Sequence, residues 1–336
     1  VSCVTIKYLA RRLGISPSTV SRSLRNHPGI SRATKEKVAA LAEQCNYQPN
    51  LVAQSLQTRK TNTIGVIVPE IRHDFFSSAV SGIEQVSHEA GFTIMVSQTQ
   101  ETYEREVMNT RTMVSHRVGG LILSLSRETI LFDHLTTAMK QGIPVVLFDR
   151  VTDEIPVSKV VVDDFEGART AVEHLIRRGY RRIAHLAGPA YVSISRNRLA
   201  GYRRALEENR RLFDPQLVVP GGFQEKDGWA GMATLMSLPE PPDAIFAVND
   251  PVAVGVFTWL KKAGLAIPEH MALVGFSNNP ISALIDPPLT TVEQPALDLG
   301  RMAARLLLEQ LKQKDPYPAV PVTKVLKTRL IVRKST

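Results

Sequence analysis

Two cysteines, Cys3 and Cys45, are all that the 336 residues contain. They stand far apart and in no metal-ligand spacing, which excludes a disulfide scaffold and a cysteine-held zinc site. Both read as free thiols, with Cys45 expected to pack beside Val38 and Leu41 on a helix capped by Ser31. Long apolar runs are missing too: none approaches the roughly 18 residues that a membrane-spanning helix needs, and the start lacks an apolar signal-peptide core. The chain is therefore expected in the cytoplasm, with no membrane partner. Catalytic signatures are equally absent. There is no G-x-G-x-x-G, no G-x-x-x-x-G-K-S/T, no H-E-x-x-H and no G-x-S-x-G, so the sequence points away from an enzyme, with no catalytic residue, metal or cofactor assigned.

Acidic residues are scarce in one place. Residues 1–60 hold ten Lys/Arg against two acids, Glu36 and Glu43, a net of +8 in a chain of +9 overall. A basic end on a nearly neutral body is the footprint of phosphate binding. With 43% apolar and 22% charged residues, the whole composition is that of a folded soluble protein of more than one domain.

What is present in that basic end is a pair of short helices. Ile6, Leu9, Ala10 and Leu13 recur at helical spacing over residues 5–13, and Gly14 stops the run. Ser16 is placed to cap and Pro17 to open a second helix, in which Val20 and Leu24 face inward while Pro17, Ser18, Ser21, Arg22 and Arg25 face out. Two helices joined by a glycine turn, the second bearing small hydroxyls and arginine, form a helix-turn-helix reader rather than a solvated hairpin. A third helix over about 32–45 completes the head. Beyond Pro49, residues 51–56 make barely two turns, too short to hold a helix alone in water.

From Thr63 onward the pattern is repeated strand and helix. Ile64–Val68, Phe92–Val96, Gly120–Leu123, Val145–Phe148, Val160–Val162, Ile183–Ala187, Ala244–Val248 and Met271–Phe276 are continuous apolar runs of strand length. Such runs, separated by helical patterns, predict parallel sheets covered on both faces, and their number over about 270 residues suits two sheets.

The sequence resembles the lactose-repressor (LacI/GalR) family of bacterial transcription regulators. The likeness rests on Val4-Thr-Ile-Lys-Tyr-Leu-Ala, Gly14-Ile-Ser-Pro-Ser-Thr-Val-Ser-Arg22, Tyr47-Gln-Pro-Asn, Ala53-Gln-Ser-Leu56, Ile64-Gly-Val-Ile-Val-Pro, Pro144-Val-Val-Leu-Phe-Asp-Arg150, Ala247-Val-Asn-Asp250 and Leu289-Thr-Thr-Val-Glu-Gln-Pro295. It implies an α/β core of two doubly wound parallel-sheet lobes, like type I periplasmic binding proteins, preceded by an all-α helix-turn-helix head. The head is expected over 1–46, a hinge helix and linker over 47–60, an N-terminal lobe from 61–161 plus 293–323, and a C-terminal lobe from 162–292 plus 324–336. Three crossings between lobes are implied near 161, 292 and 323.

The resemblance further implies that Leu56, with Ala53 in the same hinge, enters the minor groove of an operator. Arg22 is expected to contact guanine, with Pro17 and Ser18 on neighbouring bases. Thr5, Ser16, Thr19, Ser21 and Asn50 are expected to hold phosphates. Effector contacts are implied at Phe75, Asp149, Arg196, Phe223, Asn249 and Asn278, an aromatic and hydrogen-bonding set that suits a sugar, sugar acid or sugar phosphate. Asp163-Asp164 could pass for a catalytic pair, but Asp164 is expected to cap a helix. The expected assembly is a homodimer on double-stranded DNA, since no heptads trail the Lys324–Val332 strand. Competing readings are a sugar-processing enzyme, separated by ligand turnover, and a plain solute-binding protein, separated by a salt-dependent DNA gel shift.

Overall fold

The computed structural model describes residues 5–24, 26–45, 47, 61–313 and 321–336. The chain divides into two compact units, one ending at Thr61 and one running from Asn62 to Thr336. In the first unit, α1 (Ile6–Leu13), α2 (Pro17–Leu24) and α3 (Arg32–Gln44) surround a small core of Leu9, Ala10, Val20, Val38 and Ala42. Each start has a side-chain cap. Thr5 Oγ1 accepts the Tyr8 amide at 3.3 Å, Ser16 Oγ the Thr19 amide at 3.1 Å, and Ser31 Oγ the Thr34 amide at 3.3 Å. Gly14, with φ of 65°, ends α1 in the left-handed region, where a side chain would be strained. Cys45 lies half-buried against this core with Leu41. The expected helix over 51–56, and with it Asn50, Ala53 and Leu56, lies outside the described residues, as do Arg25 and Cys3.

The second unit contains two six-stranded sheets. Its strands in chain order are β1 (Thr63–Val68), β2 (Thr93–Gln98), β3 (Gly120–Leu123), β4 (Val145–Phe148), β5 (Ser158–Val162), β6 (Ile183–Ala187), β7 (Val218–Pro220), β8 (Ala244–Ala247), β9 (Ala272–Ser277), β10 (Thr290–Glu293), β11 (Thr323–Leu326) and β12 (Arg329–Ile331). The first sheet runs β11-β5-β4-β3-β1-β2 and the second β12-β10-β9-β8-β6-β7. Among the described residues all pairings are parallel except that of β10 with β12. Helices α4 (Asp74–Glu89), α5 (Tyr103–Ser115), α6 (Asp133–Lys140), α7 (Asp164–Arg177), α8 (Ser193–Glu208), α9 (Glu225–Met236), α10 (Asp250–Lys262), the short α11 (Ile281–Leu284) and α12 (Ala296–Leu311) cover them. Strands such as β3 and β4 are buried along their whole length, as continuous apolar runs under helices on both faces require.

The chain passes between the sheets at 163, after β5, and again after β10, where α12 returns to pack on α4 of the first lobe. The third passage falls at 327–328 rather than near 323, because Thr323–Leu326 pairs with β5 in the first sheet and Arg329–Ile331 with β10 in the second. The single strand expected over 324–332 is thus two strands in different lobes. Asp163, not Asp164, caps α7: its Oδ1 accepts the Glu166 amide at 3.0 Å. No described helix is long and apolar enough to cross a membrane.

Candidate nucleic-acid interface and interlobe cleft

The outer face of α2 is small, polar and basic because its apolar positions are used inward. Val20 is fully buried, and Ser23 is turned in with its hydroxyl donating to the Thr19 carbonyl at 2.8 Å. Ser16, Pro17, Ser18 and Arg22 are exposed, Thr19 and Ser21 half-buried. Hydroxyls gather at the start of the helix, where Ser16 Oγ lies 2.7 Å from Ser18 Oγ and 2.9 Å from Thr19 Oγ1. Thr5 sits exposed at the start of α1, close in sequence to the exposed cations Lys7, Arg11 and Arg12. Neither helix contains a carboxylate. Unopposed positive charge, backbone amides at helix starts and hydroxyl donors are the groups that grip phosphate.

In the second unit the carboxyl ends of both sheets feed loops into one cleft, the place where open parallel sheets offer ligand contacts. The first lobe supplies His73, Phe75, Phe76, Glu101, Asp149 and Arg150; the second supplies Ile194, Arg198, Phe223, Gln224, Asn249, Ser277 and Asn279. Arg150 occupies the centre. Its guanidinium donates to Glu101 at 2.6 Å and lies 4.4 Å above the Phe223 ring and 5.7 Å from that of Phe76. Its Nε is buried with no partner among the described residues. Burial raises the Glu101 carboxyl, but the charge and hydrogen bond of Arg150 outweigh it and leave the group below the usual range.

Asp149 is buried and held at φ of 60°, an uncommon conformation for a residue with a side chain. Burial pushes its carboxyl up to about 7, only partly offset by Arg150. The geometry explains the weak offset, since Arg150 Nε stands 4.0 Å from the carboxylate, beyond hydrogen-bond reach, while Nη1 of the same guanidinium donates to Glu101. Arg198 is fixed from three sides: it donates to Asp164 at 2.8 Å and to the Val248 carbonyl at 2.6 Å, and it lies 3.7 Å over Phe276. Asn249 caps α10 through its Oδ1 and donates from Nδ2 to the Phe223 carbonyl at 2.9 Å, which ties an aromatic wall of the cleft to a helix start.

The lobes touch across the cleft. Arg72 donates to Gln224 Oε1 at 2.7 Å, Gln224 Nε2 donates to Glu70 at 3.0 Å, and the Val151 amide donates to Ser193 Oγ at 3.1 Å. The cleft is correspondingly full, with about 50 Å³ of free space.

Of the six residues expected at an effector, the structure brings together Phe75, Asp149, Phe223 and Asn249. Arg196 is not among them. It is exposed, donates to the Tyr191 carbonyl at 2.6 Å and lines a neighbouring groove, while Arg198 faces the cleft. A signal for this was in the sequence: Ile194, Arg198, Gly201, Tyr202 and Ala205 follow the buried period of α8, and Arg196 does not. Asn278 also lies off the cleft lining. It donates to Glu293 at 3.1 Å and accepts from Arg333 at 2.7 Å, and its neighbours Ser277 and Asn279 line the cleft instead. Glu101 and Gln224 escaped sequence reasoning, because no motif marks the loops that carry them.

Comparison with known proteins agrees with this architecture. Residues 5–50 match the bacterial regulatory proteins of the lacI family, and residues 172–336 match the periplasmic binding protein-like domain. The chain is 31% identical over 335 residues to the HTH-type transcriptional repressor CytR of Escherichia coli K12, covering 100% of this chain and 97% of that protein. It is 32% identical over 313 residues to the repressor PurR of Vibrio atlanticus, covering 93% of each. The lac repressor dimer bound to operator and the anti-inducer ONPF superposes with a TM-score of 0.86 at 28% identity, over 100% of this chain and 99% of that one. A complex of the regulator CelR with cellobiose gives 0.75 at 30% identity, over 99% and 100%. Related along its whole length to repressors that share its helical head and paired parallel sheets, this chain belongs to the LacI family of bacterial regulatory proteins and is a DNA-binding transcriptional regulator, not an enzyme.

Proposed function

We propose that the protein is a homodimeric repressor whose operator affinity is set by a small sugar-like effector, a sugar, sugar acid or sugar phosphate, held between the two core lobes. The observation that carries this reading is that the cleft's aromatic faces and charged forks come from both lobes: Phe75, Asp149 and Arg150 from one, Arg198, Phe223 and Asn249 from the other. A ligand touching both can shift the angle between them, to the extent that it binds one geometry better than the other. A lac repressor dimer with operator and a CelR complex with cellobiose are consistent with that class of assembly and ligand. Ligand sites usually enclose about 300–1,000 Å³, so the effector has to displace Arg150 from Phe223 or part the lobes.

At the other end, Arg22 is assigned to a guanine, Pro17 and Ser18 to neighbouring bases, and Thr5, Ser16, Thr19 and Ser21 to phosphates. Asn50, Ala53 and Leu56 complete the proposed DNA contacts from the 47–60 hinge that follows a head ending at 46. The test is a gel shift with an operator selected from random duplexes, run with each sugar, sugar acid or sugar phosphate that raises the protein's melting temperature. At least one such ligand changes operator affinity, and Arg22→Ala loses about 1–3 kcal/mol on the selected site with little loss on unrelated DNA. Operator affinity indifferent to every stabilising ligand would sink the effector reading; equal losses on all DNA would make Arg22 a phosphate contact.

A further inference from the structure

A cavity larger than the interlobe cleft opens elsewhere in the second unit. It lies on the outer side of the first lobe between α5 and α6, with a free volume of about 700 Å³. Its wall is mixed: Val107 and Val114 are apolar, Arg111 and Arg117 are cationic, Asp133 is the acid, and His134 closes one side. Arg111 is exposed and makes no ion pair among the described residues, so positive charge predominates over the single carboxylate. His134 is buried, with Nε2 2.9 Å from Glu106 Oε1 and Nδ1 without a partner among the described residues.

We propose that this cavity is a second ligand site, for a small organic anion, and that its occupancy is felt at Arg150 in the cleft. The size is that of a metabolite site, and two guanidinium groups over apolar walls suit a carboxylate or phosphate on a small carbon skeleton. The link to the cleft is continuous and lies within one lobe. Glu106, paired to His134, accepts the Ser126 amide at 2.6 Å, and Ser126 Oγ donates to Thr99 Oγ1 at 2.6 Å. The next amide, that of Arg127, donates to Glu101 at 2.8 Å, and the same Glu101 oxygen accepts Arg150 at 2.6 Å. A ligand that shifts His134 therefore pulls on the loop that positions the partner of Arg150. The site itself stands apart from the effector reading above; only its regulatory meaning rests on that reading.

The test is a methyl and amide NMR titration of the full-length protein with citrate and, separately, glucose 6-phosphate, one probe for each anion class. With at least one probe, the Val107 and Val114 methyls shift saturably and the Ser126 and Arg127 amides move with them. Thr137→Trp, an exposed substitution at the cavity wall, abolishes the shifts, and Arg111→Gln weakens binding about tenfold or more. Still methyls with both probes at millimolar concentration, or shifts that survive Thr137→Trp, overturn the site. Moving methyls with still Ser126 and Arg127 amides overturn the coupling. A probe that moves Asn249 and leaves Val107 unmoved has bound in the cleft, which supports the effector reading while refuting this one.

Discussion

Asp149 is a carboxyl group kept where water is scarce, and its raised pKa fixes the sign of its contribution to stability. A group whose pKa is near 3.8 unfolded and about 7 folded binds its proton more tightly in the native state. Its contribution is fully present below the unfolded value and is lost as pH rises through about 7. Asp149→Asn removes that dependence. The melting temperature of the variant relative to wild type should therefore climb between pH 5 and pH 8, and a constant difference across that range would show that Asp149 ionises normally. Asp250 is also raised by burial, but it is common to both proteins and cancels in the difference; the charge of Asp164 is one of the causes that raise Asp149, so its effect belongs to the difference. Two arginines of α8 give a second comparison. Arg198→Ala leaves Asp164 buried without its partner, a loss of about 3–5 kcal/mol in unfolding free energy, whereas exposed Arg196→Ala should stay within about 0.5 kcal/mol. Chemical unfolding of the two variants side by side decides it. That pair also marks where the sequence was hardest to read. Residue type pointed to an arginine in this turn and to polar residues after β9, but choosing between positions one or two apart, Asn278 or Ser277, Arg196 or Arg198, depends on which way a side chain turns. Motif matching does not supply that direction; the buried period of the helix does.

At the scale of elements, helix pairs in both lobes meet at glycine. A Cβ at Gly300 of α12 would run into the Ala79 carbonyl oxygen of α4, and one at Gly82 of α4 into the Leu297 carbonyl oxygen. The two helices approach so closely that backbone faces backbone. Gly300→Ala should therefore cost about 1–3 kcal/mol through forced separation, although alanine is the better helix former. Calorimetry that finds the variant as stable as wild type would mean the pair has room to slide. Strands were legible wherever they are buried on both faces, since a doubly covered strand reads as an apolar run, as in β3, β4 and β8. β7 was not. It has three residues, half-buried to exposed, and ends in Pro220, so nothing in its composition distinguishes it from a loop. The 324–332 segment read as one strand because apolar character reports burial and says nothing about which sheet provides it.

For the whole molecule, the bonds spanning the cleft hold a closed arrangement. Gln224 makes two of them, to Arg72 and Glu70, and α9 begins directly after it at Glu225. Gln224→Ala should loosen the lobes, seen as a larger radius of gyration in solution scattering and as faster ligand association. Unchanged scattering and kinetics would assign the closure to Arg150 on Phe223. The two-lobed plan was legible through the family likeness and the count of strands. The order of chain within it was less so, because the last crossing depends on the pairing partners of two short strands.

That chain order also governs when each part can fold during synthesis. The head is continuous in sequence and complete once α3 has emerged. The first lobe is not: its edge strand β11 and the helix that covers α4 arrive only after the entire β6–β10 portion of the other lobe has been made. At about 5–20 residues per second, the ribosome leaves β1–β5 without that cover for roughly ten to thirty seconds, with apolar strands waiting for partners. Nascent chains halted just before Thr323 should show a protease-resistant head and two sensitive lobes, and release through Leu326 should protect the first lobe before β12 has joined the second. The protein that reads DNA is thus ready at its amino end long before the machinery proposed to regulate it can close.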